Sequence, residues 1–238
     1  DSIDWVERFI RRYGSPNTIY ATELCNWHKD VAHQFTFGCG MPAPDYAQAR
    51  LRILWGHNPS SVWLAEASKL AEGADEHAPR ALLVVDPRAT PHARAADLWL
   101  QIKPGTDDAL AMGLARLLLA RELVDTDFIR RWSNAPFLVN EATGRFLRAE
   151  KLNAARTGFV VWSQAQAKPV CVDTSVAMDE ALAGDAALDG WYDIALAAGR
   201  VVRARPAFAH YRYACEQWTL ARTAEATGLA PDDILRAA

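Results

Sequence analysis

Three short segments of this 238-residue chain each close an apolar run and open a helical one: Trp55-Gly56-His57-Asn58-Pro59-Ser60, Val84-Val85-Asp86-Pro87-Arg88 and Lys103-Pro104-Gly105-Thr106-Asp107. A strand that ends in a polar or glycine turn and re-enters as a helix is the repeating unit of an open α/β sheet. The turns of such a sheet are where nucleotides are held. The strands read as Leu51–Trp55, Ala81–Val85 and residues 98–102, the second of them apolar throughout as parallel strands buried on both faces are. Residues 60–71 read as a helix capped by Ser60 or Ser61, and Thr106 as the cap of a long helix through Leu110, Leu114, Leu117 and Leu118. A shorter helix is predicted over Thr126–Trp132, capped by Asp125 or Thr126.

Before this block, apolar residues from Ile3 to Ile10 recur at helical spacing, Gly14-Ser15-Pro16 stops them, and Thr18-Ile19-Tyr20 is strand-like. Beyond Asn134 the pattern changes to short β-rich pieces, Phe137-Leu138-Val139, Phe159-Val160-Val161-Trp162 and Val170-Cys171-Val172. A hairpin follows from Trp191-Tyr192-Asp193-Ile194 to Val201-Val202-Arg203. The chain is helical again over residues 221–227, stops at Gly228 and restarts at Pro231-Asp232-Asp233. The predicted fold class is therefore α/β, a doubly wound, mainly parallel sheet with added β-hairpins, plus edges of an incomplete neighbouring α/β domain. Residues 1–22 are assigned to that neighbouring edge, 23–215 to the main domain and 216–238 to a return to the neighbour.

Bulk properties narrow the function. A net charge of −3 argues against a nucleic-acid or anionic-membrane surface as main partner. No apolar run reaches the ~20 residues that span a bilayer. The chain opens on Asp1 with no leader pattern after it, which leaves a cytoplasmic or periplasmic location open. The four cysteines, at 25, 39, 171 and 215, include no Cys-x-x-Cys pair and read as reduced thiols.

Each candidate site residue has a plain alternative. Gly56 permits a tight turn, and Asn58, Pro59 and Ser60 open the next helix, where exposed N–H groups favour phosphate; the turn alone is an equal reason for Gly56. The second and third glycines of a nicotinamide-binding fingerprint are missing between His57 and Ser61, which weakens a dehydrogenase reading. Asp86 can accept from ribose hydroxyls or a base edge, and Arg88 can pair with phosphate, whereas Asp86-Pro87 is also a common turn initiator. Asp107 at a helix start is favoured by the dipole alone; its functional alternative is guanine, whose N1–H and N2–H₂ donors match one carboxylate. Cys25 in Leu24-Cys25-Asn26-Trp27-His28 is either a soft metal ligand or a free buried thiol. A zinc site from Cys25, His28, His33 and Cys39 is the blunter alternative. Thr223 to Ala237 also passes for a helix-turn-helix, though the acidic balance opposes DNA binding.

Taken together these segments resemble the molybdopterin oxidoreductases of the dimethyl-sulfoxide-reductase family. The resemblance rests on Phe37-Gly38, Trp55-Gly56-x-Asn58-Pro59, Val85-Asp86-Pro87-Arg88-x-Thr90, Ala96-Asp97-Leu98-Trp99-Leu100, Pro104-Gly105-Thr106-Asp107-x-Ala109-Leu110 and Asp127-Phe128-Ile129, in family order. Later segments, Leu188-x-Gly190-x-Tyr192, Arg205-Pro206-Ala207-Phe208 and Ala224-Glu225-x-Thr227-Gly228, extend it. The resemblance implies molybdopterin guanine dinucleotide with molybdenum or tungsten, contacted by Gly56, His57, Asn58, Pro59, Ser60, Asp86, Pro87, Arg88, Thr90, Gly105, Thr106 and Asp107. Cys25, twelve residues before Phe37, takes the position of the metal ligand. The implied activity is two-electron redox on a small substrate, by oxygen-atom transfer or hydroxylation. Asn26 stands where formate dehydrogenases have His, which argues against formate, and the local context resembles the acetylene-hydratase branch, whose chemistry is non-redox. His28 is a candidate proton carrier. The family's 4Fe–4S segment and closing domain have no counterpart here, so the chain reads as an internal fragment. The implied partners are the remaining domains of the parent chain and an electron-transfer subunit. A non-catalytic relative of the complex I type is the structural rival.

Overall fold

The structure, a computed structural model, describes residues 2–17, 27–40, 44–46, 48–72, 81–175 and 178–238. Among the described residues two helices come first, α1 (Ser2–Tyr13) and α2 (Trp27–Phe37). Gly14 ends α1 at φ +84°, as the Gly14-Ser15-Pro16 stop predicts. The strand-like Thr18-Ile19-Tyr20 and Cys25 lie outside the described residues. Along α1, Trp5, Phe9 and Tyr13 recur every fourth residue and are exposed.

Next come β1 (Leu51–Trp55), α3 (Pro59–Val62), α4 (Leu64–Glu72), β2 (Ala81–Val85), α5 (Pro91–Ala95), β3 (Leu98–Leu100), α6 (Asp107–Ala120) and α7 (Thr126–Trp132). The strands form a parallel sheet in the order β1-β2-β3, with Trp55 opposite Val85 and Val85 opposite Leu100. In the central strand β2, Leu83, Val84 and Val85 are buried on both faces, which is why it carries no alternation, whereas Leu51 and Ile53 of β1 are exposed. Leu83 and Val85 join Leu100, Ile102, Leu110 and Leu117 in one cluster, while Val84 joins Leu54, Leu70 and Ala93 in another. Helices on both faces make the sheet doubly wound, and each fully buried aliphatic side chain contributes roughly 1.5–3 kcal/mol.

The β-rich half adds β4 (Leu138–Asn140), β5 (Arg145–Phe146), β6 (Phe159–Ser163), β7 (Lys168–Val172), α8 (Glu180–Asp185), β8 (Tyr192–Ala195) and β9 (Val201–Pro206). β5-β4-β9-β8 form an antiparallel sheet and β6-β7 a hairpin. Leu138, Val160, Ile194, Val202 and Ala204 pack between them. The mixed α/β class with antiparallel hairpins is thus the observed one.

The chain closes with α9 (Ala207–Glu216), α10 (Leu220–Thr227) and α11 (Pro231–Ala237). Gly228, at φ +75°, ends α10 with its N–H on the Ala224 carbonyl at 2.8 Å. Leu229 and Ile234 enter the same cluster as Leu100 and Leu110, and the Lys103 N–H bonds the Thr227 carbonyl at 3.0 Å. Leu229 and Ile234 therefore pack on this sheet. The helix-turn-helix pattern of Thr223 to Ala237 is spent on the core, with Thr223, Thr227 and Ile234 fully buried.

Local expectations differ at three points. The helix expected over residues 60–71 breaks at Trp63, whose φ of −150° is not helical, so Ser60 and Ser61 sit inside α3 and cap nothing. Thr106 stands at the cap position of α6 but turns its hydroxyl to the Lys103 carbonyl at 2.7 Å. The third strand stops at Leu100, because the Ile102 N–H turns back to the Leu100 carbonyl at 3.0 Å.

Candidate functional site

In a parallel sheet every strand points the same way, so turns that follow neighbouring strands leave from one edge. The Gly56 N–H bonds the Val85 carbonyl at 2.8 Å, and the Asp86 N–H bonds the Leu100 carbonyl at 3.3 Å, which extends the ladder to the mouth of each turn.

The first turn begins at Gly56, held at φ +60° with nothing within 4 Å of where a Cβ would stand. Backbone conformation, rather than close packing, requires glycine here. Asn58 sends its amide N–H to Ser61 Oγ at 2.9 Å, while its Oδ1 is buried without a partner. Pro59 is fully buried. His57 Nε2 lies 3.1 Å from Glu66 Oε2, and the Tyr46 hydroxyl donates to Glu66 Oε1. Burial works to raise the Glu66 carboxyl, but the hydrogen bonds from Tyr46 and His57 outweigh it and leave the group below its ordinary value.

The second turn is braced by hydrogen bonds. Asp86, 6% exposed, accepts the Arg88 N–H on Oδ1 at 2.7 Å, which matches the turn-initiating role of an Asp-Pro pair. The Asp86 carbonyl accepts Trp99 Nε1 at 2.8 Å, and the Pro87 carbonyl accepts Gln101 Nε2 at 3.2 Å. Thr90 caps α5 by accepting the Ala93 N–H at 3.0 Å. Among the described residues Asp86 Oδ2 has no hydrogen-bond partner, and the exposed Arg88 guanidinium makes no ion pair.

At the third turn Gly105 adopts φ +79°, again with open space beyond it. Asp107 is the first residue of α6 and is exposed; its Oδ1 accepts the Trp55 indole N–H at 2.7 Å. That bond ties the first turn to the third. The contact of Ser60 Oγ with His92 Nε2, at 2.6 Å, ties the first to the second. Sequence reasoning points to neither Trp55 nor His92, and the residues that each braces stand 52 and 32 positions away. No spacing rule reaches that far; the one signal for Trp55 is that of a polar-tipped aromatic closing a strand.

His92 titrates low, through burial first and the charge of His57 second. Protonation is then penalised in the folded state. Its contribution to stability is complete above the ordinary imidazole value of 6.5 and is lost as pH falls through the lower folded value. NMR titration of the imidazole C–H signals should show the His92 midpoint below 6.5, moving toward it in His57→Gln; a midpoint at or above 6.5 in the unaltered chain contradicts this.

Chemically, and counting partners among the described residues, one edge offers a free guanidinium, two carboxylates with unused lone pairs and a buried amide oxygen without a donor. These complement a phosphorylated ligand bearing hydroxyl and amino donors. Among the described residues no group of three or more His, Cys, Asp or Glu side chains is placed to hold a metal ion, and Cys39 is exposed. No described helix is long and apolar enough to cross a membrane.

Helices on both faces of a parallel sheet, joined to antiparallel hairpins, define a mixed α/β protein with its polar turns gathered at one edge. The chain belongs to the molybdopterin oxidoreductase family, whose profile matches residues 2–228. It is 32% identical over 157 residues to a putative dimethyl sulfoxide reductase catalytic chain of Halobacterium salinarum, covering 62% of this chain and 18% of that one. It is 30% identical over 128 residues to acetylene hydratase of Syntrophotalea acetylenica, covering 53% of this chain and 17% of that one. Its fold is similar to the solved acetylene hydratase from Pelobacter acetylenicus, with a TM-score of 0.55 and 20% identity over 98% of this chain and 22% of that chain. The chain spans less than a quarter of the length of these relatives.

Proposed function

We propose that this chain is the part of a molybdenum- or tungsten-dependent catalytic subunit that binds one molybdopterin guanine dinucleotide across the turns at Gly56–Ser60, Asp86–Thr90 and Gly105–Asp107. The observation that supports the reading is the register of Trp55, Val85 and Leu100 in a parallel sheet, which opens the three turns at the same edge. The donor set fits such a group. Arg88 meets a phosphate, Asp86 Oδ2 accepts from ribose hydroxyls, Asp107 accepts from the guanine N1–H and N2–H₂, and Asn58 Oδ1 takes a remaining donor. When bound, the cofactor supplies a high-valent metal for two-electron redox of a small substrate, by oxygen-atom transfer or hydroxylation. Cys25 is assigned as the thiolate ligand of that metal, a choice suited to its softness. The work of the described residues is to bind and orient, with the turns braced against one another by the Trp55–Asp107 and Ser60–His92 contacts.

The relationship to acetylene hydratase supports a second reading, in which the same residues hold the cofactor for a non-redox hydration. Both readings give the chain further domains of a longer protein, one of them with a 4Fe–4S cluster, and a small-molecule substrate; the redox reading adds an electron-transfer subunit.

Calorimetry with GDP, the free end of the dinucleotide, tests the proposal. GDP is expected to bind and ADP to bind more weakly. Arg88→Ala should weaken GDP by roughly tenfold or more through loss of a charge-assisted phosphate contact. Equal affinity for GDP and ADP, or no effect of Arg88→Ala, would overturn the assignment.

A further inference from the structure

An exposed aspartate at a helix start, such as Asp107, samples several rotamers, and fixing it on ligand binding costs affinity and blurs discrimination. Two-point recognition of guanine needs the carboxylate held in one plane, so that one oxygen meets N1–H while the other meets the exocyclic amino group. In this structure one group supplies that restraint. Trp55 closes β1, and its indole N–H meets Asp107 Oδ1 at 2.7 Å. The indole is itself held, partly buried and packed against the cluster of Leu83, Val85, Leu100 and Leu110. The bond uses one lone pair of Oδ1 and leaves the second, with both on Oδ2, for a base. An indole has a single donor and no acceptor, so it can fix the carboxylate without competing as a second acceptor for the guanine protons.

We infer that Trp55 is a positioning residue for base specificity, its indole N–H locking the Asp107 carboxylate in the orientation that distinguishes guanine from bases lacking the 2-amino group. The inference rests on the assignment of Asp107 to the guanine base.

The test compares GDP with IDP, which keeps N1–H and lacks the 2-amino group, in the unaltered chain and in Trp55→Phe, which keeps a ring and removes the donor. The unaltered chain should prefer GDP by about tenfold or more, the worth of one hydrogen bond to a charged acceptor. Trp55→Phe should reduce that preference to about threefold or less, and in an Asp107→Ala background it should change the ratio no further. A purely structural Trp55 would weaken both nucleotides alike and leave the ratio intact, which overturns the inference while the guanine assignment stands. No preference in the unaltered chain overturns the assignment and the inference with it. Should Trp55→Phe not fold, the indole N–H resonance of the unaltered chain decides. A resonance that moves in Asp107→Ala supports the lock, and one that stays overturns it.

Discussion

Asp107→Asn is expected to erase the preference for guanine nucleotides while leaving the chain folded. An asparagine presents one acceptor and one N–H₂ group to the base, so one guanine donor loses its partner and faces another donor. The surviving bond is neutral instead of charge-assisted. With hydrogen bonds to charged groups worth roughly 1.5–3 kcal/mol each, the loss should come to roughly 2–4 kcal/mol, or about 30- to 1000-fold in GDP affinity. ADP binding should be nearly unchanged. Xanthosine diphosphate should gain, because its 2-oxo group accepts from the new amide. The cost to the fold is small, since the dipole interaction lost at the start of α6 is worth about 0.3–1 kcal/mol and Trp55 can still donate to the amide oxygen. Calorimetry with the three nucleotides reads the result, and GDP affinity within threefold of the unaltered chain would refute the role of Asp107.

Gly113→Val is expected to be strongly destabilising to the fold. A Cβ at Gly113 would stand 2.4 Å from Thr223 Oγ1 and 2.5 Å from Thr223 Cγ2, so α6 and α10 meet where only a hydrogen fits. Both residues are buried, and the backbones cannot separate without lifting α11 and Ile234 from the sheet. Overpacking of this kind costs about 1–3 kcal/mol and occasionally more, and the few tenths of a kcal/mol of helix propensity gained from glycine to valine, on the order of 0.5 kcal/mol, do not offset it. A loss near 3 kcal/mol should lower Tm by roughly 6–12 °C in a domain of this size. Because Thr223 Oγ1 is buried without a partner, Thr223→Ala should partly rescue the double variant. An unchanged melting curve for Gly113→Val would show that the two helices are not in close contact.

What the sequence discloses, and what it hides, follows the range of the interactions. The unbroken run Ala81–Val85, the left-handed Gly56, Gly105 and Gly228, and the Asp125 cap, which accepts the Phe128 N–H at 2.8 Å, are local signals and are read directly. α2 gives no such signal, since Trp27–Phe37 intersperses His, Lys, Asp and Gln with its apolar residues and shows no clean stripe. The break at Trp63 is hidden because Ser60 to Ala71 keeps a helical pattern through a residue that leaves helical geometry. The candidate site divides the same way. Its turns are legible because each is written in consecutive residues, whereas the braces Trp55–Asp107 and Ser60–His92 depend on which strands become neighbours.

The burial of Leu229 and Ile234 against Leu100 and Leu110 has a consequence for biosynthesis. At about 5–20 residues per second, a ribosome needs some 7–27 seconds after finishing β3 to deliver Ile234. Throughout that interval α6 covers the face only in part, through Leu110 and Leu117, and the places that Leu229 and Ile234 fill stay open. Chaperone dependence in the cell should therefore track the speed at which the last two helices are translated, so slow codons between α9 and α11 would lower the yield of a protein whose finished form is unaltered.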